Sequence, residues 1–219
     1  MSIKSRVSEA GRSMIEMLGV LAIVGVLTLG AISGYQRAMT KHRINKVVQE
    51  LGTTISNILL YQNDFIKLNS GKAITSAETL KQLMILAQQL ELVPNTWYLK
   101  EGAGCFKDSY GGDFFFGTRG IGTRMYFTYR LKRSKKSLNS GSIRICQEIW
   151  TQIFKPLSGI IRNVHMQMDG SSQGNWVGSE YCGTETAKCL DDITPELIYN
   201  ECARCLNTEG ACQATMDVK

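Results

Sequence analysis

Residues 17–36 read MLGVLAIVGVLTLGAISGYQ and contain no charged side chain. At about 1.5 Å of rise per residue, a helix of this length measures roughly 30 Å, which is enough to cross the hydrocarbon core of a bilayer. The segment before it is short and polar, with positive charge from Lys4 and Arg6, and Glu16 stands at the edge of the apolar run. The sequence therefore predicts a membrane-spanning helix near its N-terminus.

The composition of the rest of the chain is that of a globular protein. The 219 residues include 25 Lys and Arg against 19 Asp and Glu, which gives a formal net charge of +6. A hydrophobic content of 43% and only three prolines exclude long disorder, a collagen and a multi-pass membrane protein. This length favours one domain, or one domain with an added segment.

Three interpretations of the apolar run compete. A secretory signal peptide has a shorter apolar core followed by a small-x-small cleavage site, whereas this run is long and continues into another helical segment without a turn signal. A plain single-pass anchor accounts for the apolar residues. It does not account for the order of Gly11, Ser13 and Glu16 before them.

The third interpretation follows from residues 11–27, GRSMIEMLGVLAIVGVL. This order resembles the type III signal of type IV prepilins and pseudopilins. In that family a short basic leader ends in Gly, a dedicated membrane peptidase cuts just after it, and Glu is the fifth mature residue. The resemblance implies a cut between Gly11 and Arg12, with Glu16 as the fifth mature residue. The sequence departs from the family at Arg12, where Phe or Met is usual, and this bears on N-methylation of the new terminus.

Glu16 has a physical role under this interpretation. A carboxylate at a membrane boundary is costly unless it is paired. After cleavage, the new α-amino group of a neighbouring subunit could neutralise Glu16 and set the register of one helix against the next. The alternative is a glutamate that reaches the lipid headgroups without a partner.

The helix is expected to continue beyond the apolar run. Apolar residues recur in steps of three and four, which is typical of an amphipathic helix; they are Ile44, Val47, Val48, Leu51, Ile55, Ile58 and Leu59. We therefore predict one helix over about residues 14–64, with its second half packed on a head. The basic residues between positions 37 and 46 could touch lipid headgroups, but the favoured interpretation is that they form a solvated face of the helix.

The head is predicted to mix helices and strands. A helix begins at Thr75, with Thr75 and Glu78 as a capping box, and ends before Pro94. Residues 125–132 alternate and predict a half-buried strand with Met125, Phe127, Tyr129 and Leu131 inside and a polar, basic outer face.

Two further elements follow in the head. Residues 144–154 predict a short helix with Ile145, Ile149 and Ile153 on one stripe, closed by Pro156. Residues 160–168 predict a strand that turns at Asp169-Gly170. The fold class is therefore α+β, with a long N-terminal spine helix, a small antiparallel sheet and a cysteine-rich C-terminal region, and the resemblance implies that this fold is pilin-like.

A second resemblance, to the type IVb pilin-like group, spans about 75 residues. In that group a proline precedes an aromatic-Gly-Gly turn, a strand, and then a Cys on a helix. Pro94, the turn at residues 110–112, the strand at Met125 and Cys146 follow the same order.

All seven cysteines follow the apolar helix. They are Cys105, Cys146, Cys182, Cys189, Cys202, Cys205 and Cys212. In an oxidising compartment such a set predicts disulfides, and five of them fall in a tail with little apolar periodicity, which cross-links would hold. Cys105 with Cys146 is the preferred bridge of the head, the pairing in the tail stays open, and the odd count leaves one thiol free or paired with another molecule.

Other cysteine chemistry is disfavoured. Cys202 and Cys205 form a CxxC, which in a cytosolic protein could be redox-active or half of a zinc site. The spacing lacks the paired short intervals of a zinc ribbon, so we predict structural disulfides and neither a metal site nor a cofactor. His42 and His165 are the two histidines; neither belongs to a recognisable catalytic set, and no Walker or dinucleotide motif is present. The chain is not expected to be an enzyme.

Charge is segregated along the head. Residues 114–147 carry eight basic residues and no acidic one, and residues 169–219 carry nine acidic residues against three basic ones. The loop with Lys132, Arg133, Lys135 and Lys136 could meet an anionic ligand such as DNA or a surface polymer. A solvated hairpin loop is the favoured interpretation, so a nucleic-acid partner is not expected.

The resemblance and the residues together predict a type IV pilin-like or pseudopilin subunit. Its parts would be a leader over residues 1–11, a spine over 12–66 that spans the membrane at about 14–36, a head over 67–168, and the cysteine-rich region over 169–219. Its implied partners are other pilin or pseudopilin subunits, a prepilin peptidase, an inner-membrane assembly platform, and lipid before assembly. The implied location is the bacterial inner membrane with the head outside the cytoplasm, and then a surface or periplasmic filament. The alternatives are a monomeric membrane-anchored binding protein and, more weakly, an anchored thiol or zinc enzyme.

Overall fold

A computed structural model describes residues 6–68, 72–120, 124–131, 133–134, 137–138, 140–168, 171–183, 187–207 and 211–219. For residues 6–13, 133–134, 137–138, 140, 173 and 207 it describes the backbone alone. The chain divides into two compact units, Met1–His42 and Arg43–Lys219. The first unit is helical wherever it is described. The second unit contains helices, strands and disulfides, and we call it the head unit.

The predicted spine helix is present. Helix α1 covers Arg6–Leu60, and a short helix α2, Gln62–Lys67, follows at once. The residues of the predicted amphipathic stripe between Ile44 and Ile58 are at most 2% exposed. The stripe therefore lies in the core of the head unit, as its spacing of three and four predicts.

Three further α-helices are described. They are α3 (Ala77–Gln89), α4 (Ser140–Ile149) and α5 (Pro195–Ala203). Helix α3 begins one residue later than the predicted capping box implies, because Ser76 rather than Thr75 is the N-cap, and the Ser76 hydroxyl accepts a hydrogen bond from the Thr79 amide at 3.3 Å. Thr194 caps α5 in the same way, with Pro195 in the first turn.

The helix predicted over residues 144–154 has two parts. Helix α4 is followed directly by one π-helical turn, Trp150–Phe154. Ile145, Ile149 and Ile153 are each at most 2% exposed, so the predicted stripe is confirmed.

The strands form one large sheet and one small hairpin. Their bounds are β1 (Tyr98–Leu99), β2 (Phe106–Lys107), β3 (Asp113–Arg119), β4 (Arg124–Arg130), β5 (Arg133–Ser134), β6 (Ser137–Leu138), β7 (Ile161–Met168), β8 (Ser171–Val177), β9 (Lys188–Cys189) and β10 (Cys212–Val218). The large sheet has the order β1-β2-β3-β4-β10-β7-β8-β9, and β5 pairs with β6. All described pairings are antiparallel except that of β8 with β9.

Strand β10 occupies the middle of the sheet although it comes last in sequence. Thr215 pairs with Thr128 of β4 on one side and with His165 of β7 on the other. The segment 169–219, set apart in the sequence by its cysteines, therefore contributes β8, β9, α5 and β10 to the same unit as β3 and β4.

The core of the head unit lies between the helices and one face of the sheet. Leu51 and Ile55 of α1 line the same small void as Phe114, Phe127 and Met216 of the sheet. Other aromatic contacts extend this layer, since the rings of Phe65 and Phe116 pack edge to face with their centroids 5.4 Å apart. We call this the inner face of the sheet.

Three disulfides brace the head unit. They are Cys146–Cys202, Cys182–Cys189 and Cys205–Cys212. Cys105 is free and 5% exposed. The preferred bridge between Cys105 and Cys146 was therefore wrong. Helix α4 packs against α5, which brings Cys146 to Cys202, whereas Cys105 directly precedes β2, where the charges of Asp113 and its neighbouring cations act on it.

The disulfides Cys146–Cys202 and Cys182–Cys189 should differ in how much they stabilise the head unit. Cys146–Cys202 joins residues 56 apart and both sulfurs are buried, whereas Cys182–Cys189 joins residues 7 apart. Replacing both members of the long pair by Ala should lower the free energy of unfolding by about 2–4 kcal/mol, and chain entropy alone makes this roughly 2 kcal/mol more than for the short pair. Urea unfolding followed by tryptophan fluorescence measures both variants, and equal losses would contradict this account.

Cys105 should be the one thiol per chain. Burial, and then the Asp113 carboxylate, raise the pKa of the Cys105 thiol, so little thiolate forms near neutral pH. Iodoacetamide should not label the folded, unreduced chain, and in denaturant without reductant it should label Cys105 alone. Peptide mass mapping checks this, and alkylated Cys146 or Cys202, or a cross-linked Cys105 peptide, would refute it.

Candidate functional site

The first candidate site is the surface of α1 within the first unit. From Met14 to Tyr35 the large apolar side chains are 50–72% exposed, and none of the most apolar stretch is buried. The segment is long and apolar enough to cross a membrane. Because apolar side chains face every side of this helix, it requires an apolar environment all around it.

The hydroxyls of Thr28 and Ser33 in this segment are bonded within the helix. Thr28 Oγ1 donates to the Val24 carbonyl at 2.7 Å, and Ser33 Oγ donates to the Gly30 carbonyl at 2.9 Å. Such local bonding removes the main cost of placing hydroxyls in hydrocarbon. The segment therefore meets the backbone and side-chain requirements of a membrane-spanning helix.

The residues of the predicted cleavage signal lie on the same helix. Gly11 and Arg12 have helical backbone within α1, and the Glu16 side chain is exposed. Cleavage between Gly11 and Arg12, and a role of Glu16 in assembly, stay predictions.

The predicted basic loop is described only in part. Arg133 lies in strand β5, of which the backbone alone is described, and Lys132, Lys135 and Lys136 lie outside the described residues. The proposed contact with an anionic ligand therefore stays a hypothesis.

The disulfides change the interpretation of the CxxC. Cys202 is bonded to Cys146 and Cys205 to Cys212, so the two cysteines of the motif do not face each other as a redox pair. Cys182, Cys189 and Asp191 place three ligand atoms close enough for a metal, but both sulfurs are joined in a disulfide and neither is a thiolate.

The second candidate site lies on the outer face of the sheet, opposite the core. Five polar side chains form a chain across five strands. Lys107 Nζ lies 2.8 Å from Asp113 Oδ1, and Asp113 Oδ2 lies 3.5 Å from Arg130 Nη1. Arg130 Nε donates to Gln213 Oε1 at 3.3 Å, and Gln213 donates to Gln167. Since alternate residues face the same side of a sheet, these contacts define a polar surface across β2, β3, β4, β10 and β7.

This outer face is more buried than the alternation predicts. Tyr126 and Thr128 were expected to point outward into solvent, yet they are 4% and 1% exposed. Strand β4 lies between β3 and β10, and neighbouring long side chains cover it: the Arg119 guanidinium lies 4.4 Å from the centroid of the Tyr126 ring. Thr128 and Thr215 share a hydrogen bond of 3.0 Å below this cover.

Arg119 connects the side chains that cover β4 to strand β10. Its Nη1 lies 3.4 Å from Asp217 Oδ1, and its guanidinium stacks on Tyr126, whose hydroxyl donates to the Ile74 carbonyl at 3.3 Å. Burial raises the pKa of Tyr126 to about 12, so the phenol is neutral. The arginine is thus held in place from two sides.

A groove of about 290 Å³ opens beside this ion pair. Its wall carries a guanidinium, a carboxylate, an imidazole, amides and a hydroxyl, from Arg119, Asp217, His165, Asn163, Asn175 and Ser172. These side chains come from strands β3, β7, β8 and β10, so the pairing of β10 in the middle of the sheet assembles the groove.

A β-bulge shapes one wall of the groove. Val164 pairs with Trp176 and Met166 with Gln173, so His165 faces two residues of β8, Gly174 and Asn175. Gly174 has φ +64°, and a Cβ there would lie 2.6 Å from an oxygen of the Glu201 carboxylate. The positive φ therefore favours glycine at the bulge, and any larger residue would also have to displace the Glu201 carboxylate.

His165 is the central side chain of the groove. It is 9% exposed, and burial lowers the pKa of its imidazole; the Asp217 carboxylate opposes this shift and the Arg119 guanidinium adds to it. His165 is therefore neutral near pH 7.

The sequence pattern predicts a strand at His165, but it does not predict the groove. A signal was present, because Asn163, His165 and Gln167 alternate with apolar residues, and Gln213, Thr215 and Asp217 do so in β10. What the sequence does not contain is the adjacency of β10 and β7, which are separated by more than forty residues.

Comparison with known proteins adds no assignment. No protein-family model, curated protein or solved structure matches this chain.

The neutral state of His165 predicts a pH effect on stability. Its folded pKa lies below its unfolded value of about 6.5, so as pH falls through and below that value the unfolded chain takes up the proton first and the folded state loses stability. His165→Gln should remove this part of the loss.

Thermal unfolding of the parent and of His165→Gln between pH 7.5 and pH 5 measures the effect as a difference of slopes. Asp108 acts in the opposite direction, since burial raises the pKa of its carboxyl, but it is common to both proteins and cancels in the comparison. Identical slopes would contradict the buried, neutral state of His165.

Proposed function

We propose that this chain is a type IV pilin-like or pseudopilin subunit, cut after residue 11, held in a membrane by α1, and assembled with other such subunits by packing of these helices. The observation that carries the proposal is the fully exposed apolar surface of α1 before Tyr35. The same helix supplies the buried stripe of the head unit from Ile44 to Ile58. This use of one helix for a membrane segment and for a core fits a subunit whose helix serves for both anchoring and assembly.

The apolar segment suits two environments in turn. Before assembly, lipid would surround it, and after assembly, equivalent helices of other subunits would replace the lipid. Gly19, Gly25, Gly30 and Gly34 leave open space where a Cβ would stand. Small residues of this kind allow helices in membranes to approach closely.

The cysteines support a head outside the cytoplasm. Six of the seven cysteines are paired in disulfides, which persist in oxidising compartments and are rare in the cytosol. Within the described chain, one helix able to span a membrane is followed by a disulfide-braced head, which fits a subunit anchored in the inner membrane with its head on the far side.

Glu16 would set the axial position of the α1 helices of neighbouring subunits relative to one another. Its carboxylate stands at the start of the apolar segment, and in a helix bundle of low dielectric it requires a cationic partner. Cleavage after Gly11 creates an α-amino group on Arg12, and that amino group on an adjacent subunit has the charge to pair with Glu16. This pairing would hold neighbouring helices at one axial offset.

A monomeric membrane-anchored binding protein is the alternative, and the polar groove of the head is the observation that favours it. It shares the membrane helix and the oxidised head with the proposed subunit. It differs in keeping residues 1–11 and in forming no filament.

Glu16→Val should insert and be cleaved, but should enter filaments poorly. Removing a charge eases insertion, whereas losing one member of a buried ion pair leaves the other uncompensated, at a cost of about 3–5 kcal/mol. The experiment co-expresses the chain with a prepilin peptidase and an assembly ATPase. It compares the mass of the mature protein with the amount of sheared filament.

The matched control is Glu9→Val. It removes the same charge from the leader, so after cleavage its product is identical to the mature parent. A mature mass that still includes residues 1–11 would overturn the proposed processing, and full assembly of Glu16→Val would overturn the registering role.

A further inference from the structure

The groove on the outer face of the sheet contains an imidazole that bonds to no described residue. His165 is 9% exposed and lines the groove, and its side chain makes no hydrogen bond to any residue within the described part of the chain. A neutral imidazole carries one donor and one acceptor, and here neither is used by the described part of the protein. A molecule that enters the groove can supply both partners.

The groups that line the groove with His165 are both donors and acceptors. Asn163 of β7 and Asn175 of β8 carry amides, and Ser172 adds a hydroxyl. An amide offers a donor and an acceptor side by side, which matches a ligand hydroxyl that both donates and accepts. The wall is thus suited to a ligand with several hydroxyl groups.

The charges of the groove cancel each other. Arg119 and Asp217 pair at 3.4 Å, and stacking on Tyr126 holds the guanidinium in place. An anion would have to compete with Asp217 for Arg119. A divalent cation would find only one carboxylate there, fewer than such ions use. The groove therefore favours a neutral ligand.

The size of the groove limits the ligand. Its volume of about 290 Å³ lies at the lower end of small-molecule sites, which measure about 300–1,000 Å³. The volume suits a single sugar ring, with neighbouring units of a longer chain left in solvent at the open side.

We infer that this groove binds a neutral sugar unit of a glycan, with His165, Asn163 and Asn175 bonding its hydroxyls and the Arg119–Asp217 pair forming a preorganised wall. This binding function goes beyond the proposed assembly of the chain and does not depend on it. It gives the head a ligand of defined chemistry.

The test uses the full chain in lipid nanodiscs, because sugar-based detergents would compete for the groove. Methyl glycosides of glucose, galactose, mannose and N-acetylglucosamine are titrated separately, with inorganic phosphate and acetate as ionic probes. Histidine-labelled protein gives two imidazole signals, from His165 and His42, since the chain has only these two histidines. At least one glycoside should shift the His165 signal saturably and leave His42 unchanged.

Two substitutions assign the binding to the groove. Asn175→Leu removes an amide from an exposed position, and His165→Phe removes the imidazole. Each should weaken the binding of the effective glycoside by roughly two- to tenfold, in line with the loss of one hydrogen bond. Asn200→Leu is the matched control on an exposed position of α5 and should bind as the parent does.

Each remaining outcome overturns the inference. No saturable shift of His165 with any glycoside, in protein whose near-ultraviolet circular dichroism shows a folded head, excludes a neutral sugar. A shift with phosphate or acetate but not with glycosides identifies an anion site instead. If His165→Phe fails to fold, Asn175→Leu still decides, because unchanged affinity in that variant places the sugar elsewhere.

Discussion

The head depends on the packing of one apolar stripe of α1 against the inner face of the sheet. The stripe from Ile44 to Ile58 is almost fully buried, and Leu51 and Ile55 meet Phe114, Phe127 and Met216 across the central layer. Burying a large apolar side chain contributes about 1.5–3 kcal/mol. The stripe shares this core with α3, α4 and the π-helical turn, which bury Leu83, Met84, Ile145 and Trp150 in the same cluster.

That packing leaves the opposite face of the sheet to polar residues. The same alternation that sends Phe127 and Met216 inward sends Thr128, Thr215 and Asp217 outward. These groups are nonetheless nearly buried, and on the same face Arg119 lies over the Tyr126 ring and Arg130 over the Phe115 ring. Hydrogen bonds such as the one between Thr128 and Thr215 offset the cost of this burial. A polar face that is both covered and internally bonded is rigid enough to hold a groove in shape.

Local sequence patterns predicted local structure, but they did not predict which distant segments pair. The spacing of Ile44, Val47, Val48 and Leu51 predicted a buried helical stripe, and the spacing of Ile145, Ile149 and Ile153 predicted another, because a helix repeats within its own sequence. The partner of Cys146 depends instead on how α4 meets α5, which no local pattern encodes, and so Cys105 was the wrong choice. For the same reason, the alternation of residues in β4 did not predict that its outer face is buried.

Because β10 lies in the middle of the sheet, the sheet can be completed only after the last strand has been synthesised. Arg130 pairs with Gln213, 83 residues later, so β4 has no neighbour on that side until the chain has been made through residue 218. Contacts of such long sequence separation make folding slow, and the apolar face of β3 and β4 stays open meanwhile. In an oxidising compartment Cys105 and Cys146 emerge well before Cys202, and exchange among thiols and disulfides then has to direct Cys146 to its later partner. Correct oxidation of this head is therefore tied to the arrival of its final strand, and a thiol–disulfide isomerase would shorten the interval.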